Sequence, residues 1–115
     1  MPDTVKFFNR ESTFSKMKKT AVFMNIGRGT TCDEQDLANA LNEGIICGGV
    51  LDVYAVEPLP QENPLWDCKN LVMYPHCADR DVDYDLHCIK QLAVNIANCA
   101  QGKPLINITN KKLGY

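Results

Sequence analysis

The sequence lacks most of the features that would mark a specialised protein. It has no Cys-x-x-Cys and only two histidines, so its six cysteines (Cys32, Cys47, Cys68, Cys77, Cys88 and Cys99) have no spacing that builds a zinc site. No metal is expected. No apolar run approaches the length of a membrane span, and no secretory h-region opens the chain. The cytosol is therefore the expected compartment, with no membrane partner. The formal net charge is −2 and the basic residues are scattered, which gives no footprint for nucleic acid. The short clusters Lys16, Lys18, Lys19 and Lys111, Lys112 read as solvated surface. There are no internal repeats and no dividing linker, so the 115 residues are expected to form one domain. Apolar neighbours, as around Cys47 and Cys99, predict free cysteines acting as small hydrophobes in a reduced core.

What is present alternates. Asn9 to Lys18 reads as a short helix with Asn9 as its cap. Ala21 to Ile26 is a nearly continuous apolar run, the pattern of a strand buried on both faces, and Gly27-Arg28-Gly29 ends it. Asp33 is placed to cap a helix, with Asp36 in the position that closes a variant capping box. Leu37, Ala38, Ala40 and Leu41 form that helix's apolar stripe, and Gly44 terminates it. Gly48 to Val53 is a second buried strand, and Glu57 to Pro64, with three prolines, is an extended loop. Leu71 to Tyr74 is a third strand, stopped by Pro75. A long helix runs from about Val82 to Gln101 with Leu86, Ile89, Leu92, Ala93, Ile96 and Ala97 on one side, and Gly102 caps it. The fold class is α/β, a partial Rossmann-type parallel sheet of about three strands with flanking helices and a long C-terminal helix.

Open α/β sheets place their ligands at the carboxyl ends of the strands. Three ends here carry polar residues suited to one reaction: Arg28 after the first, Asp52 and Glu57 after the second, and His76 after the third. Reduction of a 2-oxo acid needs those types. A guanidinium grips a carboxylate bidentately, an imidazole donates a proton to a developing alkoxide, and a neighbouring carboxylate orients that imidazole and raises its pKa. Each residue also has a plainer reading. Arg28 between glycines suits an exposed turn, Glu57 before Pro58 a solvated loop charge, and His76 after Pro75 a hydrogen-bonded turn histidine.

The strings Met17-Lys18-Lys19, Asn25-Ile26-Gly27-Arg28-Gly29, Asp33-Glu34, Leu37, Ala40-Leu41 and Gly44 follow one another in order. Leu51-Asp52-Val53-Tyr54, Glu57-Pro58-Leu59-Pro60, Pro64-Leu65-Trp66, Asn70 and Pro75-His76 continue the series. Together they resemble the D-isomer-specific 2-hydroxyacid dehydrogenases, with the glyoxylate/hydroxypyruvate reductases nearest in flavour. The resemblance covers most of the chain. Even Met1-Pro2-Asp3-Thr4 is similar to the family's Leu-Pro-x-Thr loop. It implies that Arg28 binds the substrate carboxylate and carbonyl, that His76 is the acid/base and that Glu57 orients it. It implies also that Asp52 meets the nicotinamide carboxamide and that Ile26, Gly27 and Ala78 line the nicotinamide pocket of NAD or NADP. Tyr74 stands where threonine is usual, and Cys77-Ala78-Asp79 replaces the commoner Ile-Ala/Gly-Gly.

The family's G-x-G-x-x-G is missing, and Gly48-Gly49 lies within a strand and cannot replace it. Residues 1–115 are accordingly expected to be a single truncated nucleotide-binding domain, its C-terminal half, without the substrate domain. Weak or no dinucleotide binding and negligible turnover follow for the chain alone. The first strand would present an unpaired edge, which predicts a homodimer through that edge or through exchange of terminal helices. The alternative function is a non-catalytic oligomerisation or interaction module.

Overall fold

The computed structural model describes residues 4–113, so Met1 to Asp3 of the Leu-Pro-x-Thr likeness lie outside them. The chain divides into two compact units, residues 1–78 and 79–115. The first is built on a parallel sheet of three strands, β1 (Val22–Asn25), β2 (Gly48–Leu51) and β3 (Leu71–Met73), in that spatial order. The nine-residue helix α1 (Glu34–Asn42) joins β1 to β2. This is the expected α/β arrangement.

Phe23, Asn25, Gly49 and Leu51 share one face of the sheet through the pairs Phe23↔Gly49 and Asn25↔Leu51. That face closes on a single core of Phe14, Leu37, Leu41, Ile46, Leu51 and Leu65, all buried. Helix α1 reaches it with Leu37, Ala38, Ala40 and Leu41, the predicted stripe. Phe14 meets Phe23 edge to face at 5.3 Å, a favoured aromatic geometry. The other face is different. Val22, Met24 and Val72 point there and each is at least half exposed. The expectation of a first strand buried on both faces is therefore wrong. The apolar run records which residues seek burial, but among the described residues only one face of β1 is covered.

The two ends of α1 are capped where the sequence reading placed them. Asp33 Oδ1 accepts from the Asp36 N–H at 3.1 Å and starts α1, and Gly44 ends it at φ 67°. Asp36 does not return the favour, because its carboxylate accepts from the Arg10 N–H instead, at 2.9 Å. The helix expected over Asn9 to Lys18 is a series of turns with one 3₁₀ turn at Phe14–Lys16. Local polar side chains compete with the helical ladder there. Asn9 Oδ1 accepts from the Ser12 N–H at 2.9 Å and Thr13 Oγ1 from the Asn9 N–H at 2.9 Å. The proline-rich loop, expected to be extended, instead bends at residues 55–58 and turns at 61–62, where the Asn63 N–H donates to the Pro60 carbonyl at 3.1 Å, and then forms a 3₁₀ turn, Pro64–Asp67, which buries Leu65.

The second unit is the 17-residue helix α2 (Tyr84–Ala100), none of whose residues is buried. The segment after it folds back: Asn95 exchanges two hydrogen bonds with Ile106, and Asn98 Nδ2 donates to the Pro104 carbonyl at 3.1 Å. All six thiols are free. Cys32 and Cys68 are buried as expected, and burial pushes the Cys32 thiol up to about 12. Cys47 and Cys99 are exposed, which corrects their placement in the core. Cys47 lies in the turn before β2 and Cys99 on α2, where apolar sequence neighbours do not bring burial. Among the described residues no helix is long and apolar enough to cross a membrane, and no group of metal-ligating side chains occurs.

Candidate active site

At the end of β1 the chain turns over a buried asparagine. Asn25 Oδ1 accepts from the Gly27 N–H at 3.1 Å, and its Nδ2 donates to the Arg28 carbonyl at 3.1 Å. This fastens both sides of the turn that projects Arg28. Gly29 then passes so close to the β2 loop that a Cβ there would stand 1.8 Å from the Tyr54 carbonyl carbon. Only glycine permits that approach, and the approach brings Arg28 beside Tyr54. The Arg28 side chain is exposed, with Nη1 donating to the Gly27 carbonyl at 2.8 Å.

After β2 the chain buries Asp52 and Val53 and emerges at Tyr54. The Tyr54 N–H donates to Glu57 Oε1 at 2.9 Å, which turns the Glu57 side chain back toward the strand end. Glu34, in the first turn of α1, holds the same loop at two points. Its Oε1 accepts from the Ala55 N–H at 2.7 Å and its Oε2 from Asn63 Nδ2 at 2.8 Å. The end of β3 is tied in by the Tyr54 hydroxyl, which donates to the Tyr74 carbonyl at 3.0 Å. Two residues later His76 places Nδ1 2.7 Å from Glu57 Oε2.

That contact sets the charges. The hydrogen bond to Glu57, followed by its negative charge, raises the His76 pKa above its ordinary 6.5. The same bond, with the Tyr54 N–H, holds the Glu57 carboxyl below its ordinary 4.5. Glu57 stays an acceptor, so Nδ1 carries a proton and Nε2 is the nitrogen left to exchange one. Asp52 Oδ1 accepts from the Cys77 N–H at 2.8 Å and Oδ2 from the Ala78 N–H at 2.9 Å. Those bonds, the first above all, hold its carboxyl below the usual range.

Arg28, Glu57 and His76, remote in sequence, line one cavity of about 250 Å³ together with Val53 and Tyr54. A larger cavity of about 620 Å³ adjoins it through Tyr54, Glu57 and His76 and is walled by Leu59, Trp66, Met73 and Tyr74. Of these two, the smaller brings the Arg28 cation to the imidazole–carboxylate pair. Ile26, Gly27 and Ala78 are exposed at the same strand ends. They offer an open surface for a flat ring, and each Asp52 oxygen keeps acceptor capacity for a carboxamide beside its backbone bond. The ring end of a nicotinamide dinucleotide fits these residues. Its two phosphates have no glycine-loop counterpart in this sequence.

Asn25, Glu34 and Tyr54 stand in the motif strings but carry no role in the sequence reading. Asn25 had a signal, since a lone amide inside an apolar strand must find partners when buried. For Glu34 and Tyr54 the only signal is their place in those strings, because their roles depend on loops that approach only in three dimensions.

Residues 1–78, the whole first unit, match the family described as D-isomer specific 2-hydroxyacid dehydrogenase, NAD binding domain. Over 113 residues the chain is 37% identical to the glyoxylate reductase of Aeropyrum pernix, with 98% of this chain and 34% of that protein covered. It is 36% identical to glyoxylate/hydroxypyruvate reductase A of an Enterobacter species, covering 98% of this chain and 35% of that one. The crystal structure of the NADPH-dependent glyoxylate/hydroxypyruvate reductase of Sinorhizobium meliloti, in complex with NADP and sulfate, superposes with a TM-score of 0.86 at 33% identity. It covers all of this chain, which spans 37% of that one. The chain thus spans about a third of the length of these relatives, and with this fold, these motifs and this match it belongs to the D-isomer specific 2-hydroxyacid dehydrogenase family.

Proposed function

We propose that the chain supplies the substrate-binding cation, the proton-transfer pair and the nicotinamide-ring surface of an NAD(P)-dependent D-2-hydroxyacid dehydrogenase. The observation that carries this is the shared cavity of Arg28, Glu57 and His76, with His76 Nδ1 2.7 Å from Glu57 Oε2. Arg28 grips the carboxylate of a small 2-oxo acid and polarises its carbonyl. A reduced nicotinamide, when bound, supplies the hydride. His76 releases its Nε2 proton to the carbonyl oxygen as negative charge develops there, and is left neutral with Nδ1–H still on Glu57. In the direction of oxidation the neutral imidazole takes the hydroxyl proton. Ile26, Gly27 and Ala78 support the ring, and Asp52 receives its carboxamide.

Residues 1–115 carry the C-terminal half of a nucleotide-binding domain in this reading. The 115-residue chain alone binds NAD(P) weakly or not at all and turns over negligibly, because nothing in it holds the diphosphate. Isothermal titration with NADH and NADPH, and an absorbance assay with glyoxylate and hydroxypyruvate, test this. Clear turnover by the pure chain sinks the second claim. A longer dehydrogenase containing these residues whose His76→Gln variant keeps its rate sinks the first.

The six free thiols suit a reducing, cytosolic compartment. A homodimer is also inferred, by pairing of β1 edges or exchange of terminal helices. The edge position of β1 and its exposed Val22 and Met24 favour it, as they favour the alternative of a non-catalytic oligomerisation or interaction module. Light scattering that shows a monodisperse monomer at tens of micromolar removes the homodimer.

A further inference from the structure

His76 has φ 52°, in the left-handed region that a residue with a Cβ rarely occupies. Such a backbone persists only where its surroundings impose it. The surroundings are on view. Both amides that follow His76 donate to one carboxylate, the Cys77 N–H to Asp52 Oδ1 at 2.8 Å and the Ala78 N–H to Oδ2 at 2.9 Å. Asp52 is itself only 3% exposed, and its own N–H continues the β1–β2 ladder by donating to the Asn25 carbonyl at 3.0 Å. We propose that Asp52 is a positioning residue for the acid/base: its two-pronged carboxylate holds His76 in a left-handed turn and so delivers the imidazole to Glu57. This rests on the reading of His76 as the proton donor and extends it.

The geometry explains why an acid belongs at this point. Here each of two consecutive N–H groups meets a different oxygen of the side chain, an arrangement that a carboxylate satisfies and a carboxamide, with an NH2 in place of one oxygen, does not. The chain before His76 is already held, through the Tyr54 hydroxyl on the Tyr74 carbonyl. The turn is therefore tied on both sides of the histidine.

Two measurements on the 115-residue chain test this without any need for turnover. In the first, His76→Gly and His76→Ala are melted. With Asp52 in place the glycine variant melts above the alanine variant by roughly 4–8 °C. This reverses the order found at residues of negative φ, where glycine is the less stable. The gap closes in the Asp52→Asn background. Alanine equal to or above glycine with Asp52 present overturns the proposal, whether or not Asp52→Asn folds.

In the second, the His76 imidazole is titrated by NMR in the wild type, Asp52→Asn, Glu57→Gln and the double variant. The charges facing His76 are Glu57, Asp52 and Arg28. If Asp52 acts through position, Asp52→Asn takes away most of the shift that Glu57→Gln would produce, and the double variant resembles either single one. Additive shifts mean that Asp52 acts only as a charge, and they overturn the proposal. Failure of the catalytic reading is a separate event, an active His76→Gln dehydrogenase, and leaves both measurements standing.

Discussion

Helices α1 and α2 carry the same kind of apolar stripe and meet opposite fates. In α1, Leu37, Ala38, Ala40 and Leu41 are all buried. In α2, Leu86, Ile89, Leu92 and Ile96 remain 47%, 63%, 60% and 62% exposed, although the helix is nearly twice as long. Periodicity states which face of a helix seeks burial; it does not supply the surface that buries it. The difference reaches the site. Helix α1 is anchored by its stripe, and its first turn presents Glu34 to the loop that carries Glu57. Glu34 thus ties the core-anchored helix to the loop whose carboxylate faces His76.

The contrast can be pressed by substitution. Leu37→Ala opens a cavity at a site of 0% exposure and should cost about 2–5 kcal/mol of unfolding free energy by denaturant titration. A loss below 1 kcal/mol on that titration would mean that α1 is not the anchor. Glu34→Ala comes next. Removing bonds of a charged acceptor to the Ala55 N–H and Asn63 should cost about 1–3 kcal/mol and speed amide exchange at Ala55. Unchanged exchange there separates the loop from the helix. Leu92→Ala should change stability by less than about 0.5 kcal/mol. A cost above about 1 kcal/mol would show that α2 has found a partner surface, and its growth with protein concentration would make that partner a second copy.

The smallest effect is in pH. His76 has a raised pKa, so its contribution is complete below its unfolded value near 6.5 and is lost as pH rises through the higher folded value. Glu57 has a lowered pKa, so its contribution holds above about 4.5 and is lost as pH falls through the lower folded value. Stability from the pair is therefore a plateau between the two ordinary values, shallow because both side chains are more than a third exposed. Melting temperatures of the wild type and Glu57→Gln across that range should differ most on the plateau and converge on either side. A constant difference would mean that the pair is not made in solution.

Much of the fold was legible because it is local. Asp33 as cap, Gly44 as terminator and the stripe of α1 are statements about residues three or four apart, and they hold. The segment Asn9 to Lys18 was misread because Asn9 and Thr13 satisfy nearby backbone groups more readily than a helix would. Of the site, the residue types at the three strand ends were legible; their fastening was not. Gly29 packed against Tyr54, Glu34 reaching Ala55 and Tyr54 reaching Tyr74 join segments that are 20 residues or more apart.

By itself the sequence determined the family, the order of the three strands with α1 and α2 and the chemical character of each strand end, because motifs and periodicity are properties of neighbouring residues. Only the tertiary structure decided that Arg28, Glu57 and His76 share a cavity, that one face of β1 is uncovered among the described residues and that a buried aspartate accepts from both amides after the histidine. Those outcomes depend on which distant segments approach within a hydrogen bond of each other. That is settled by packing around the core.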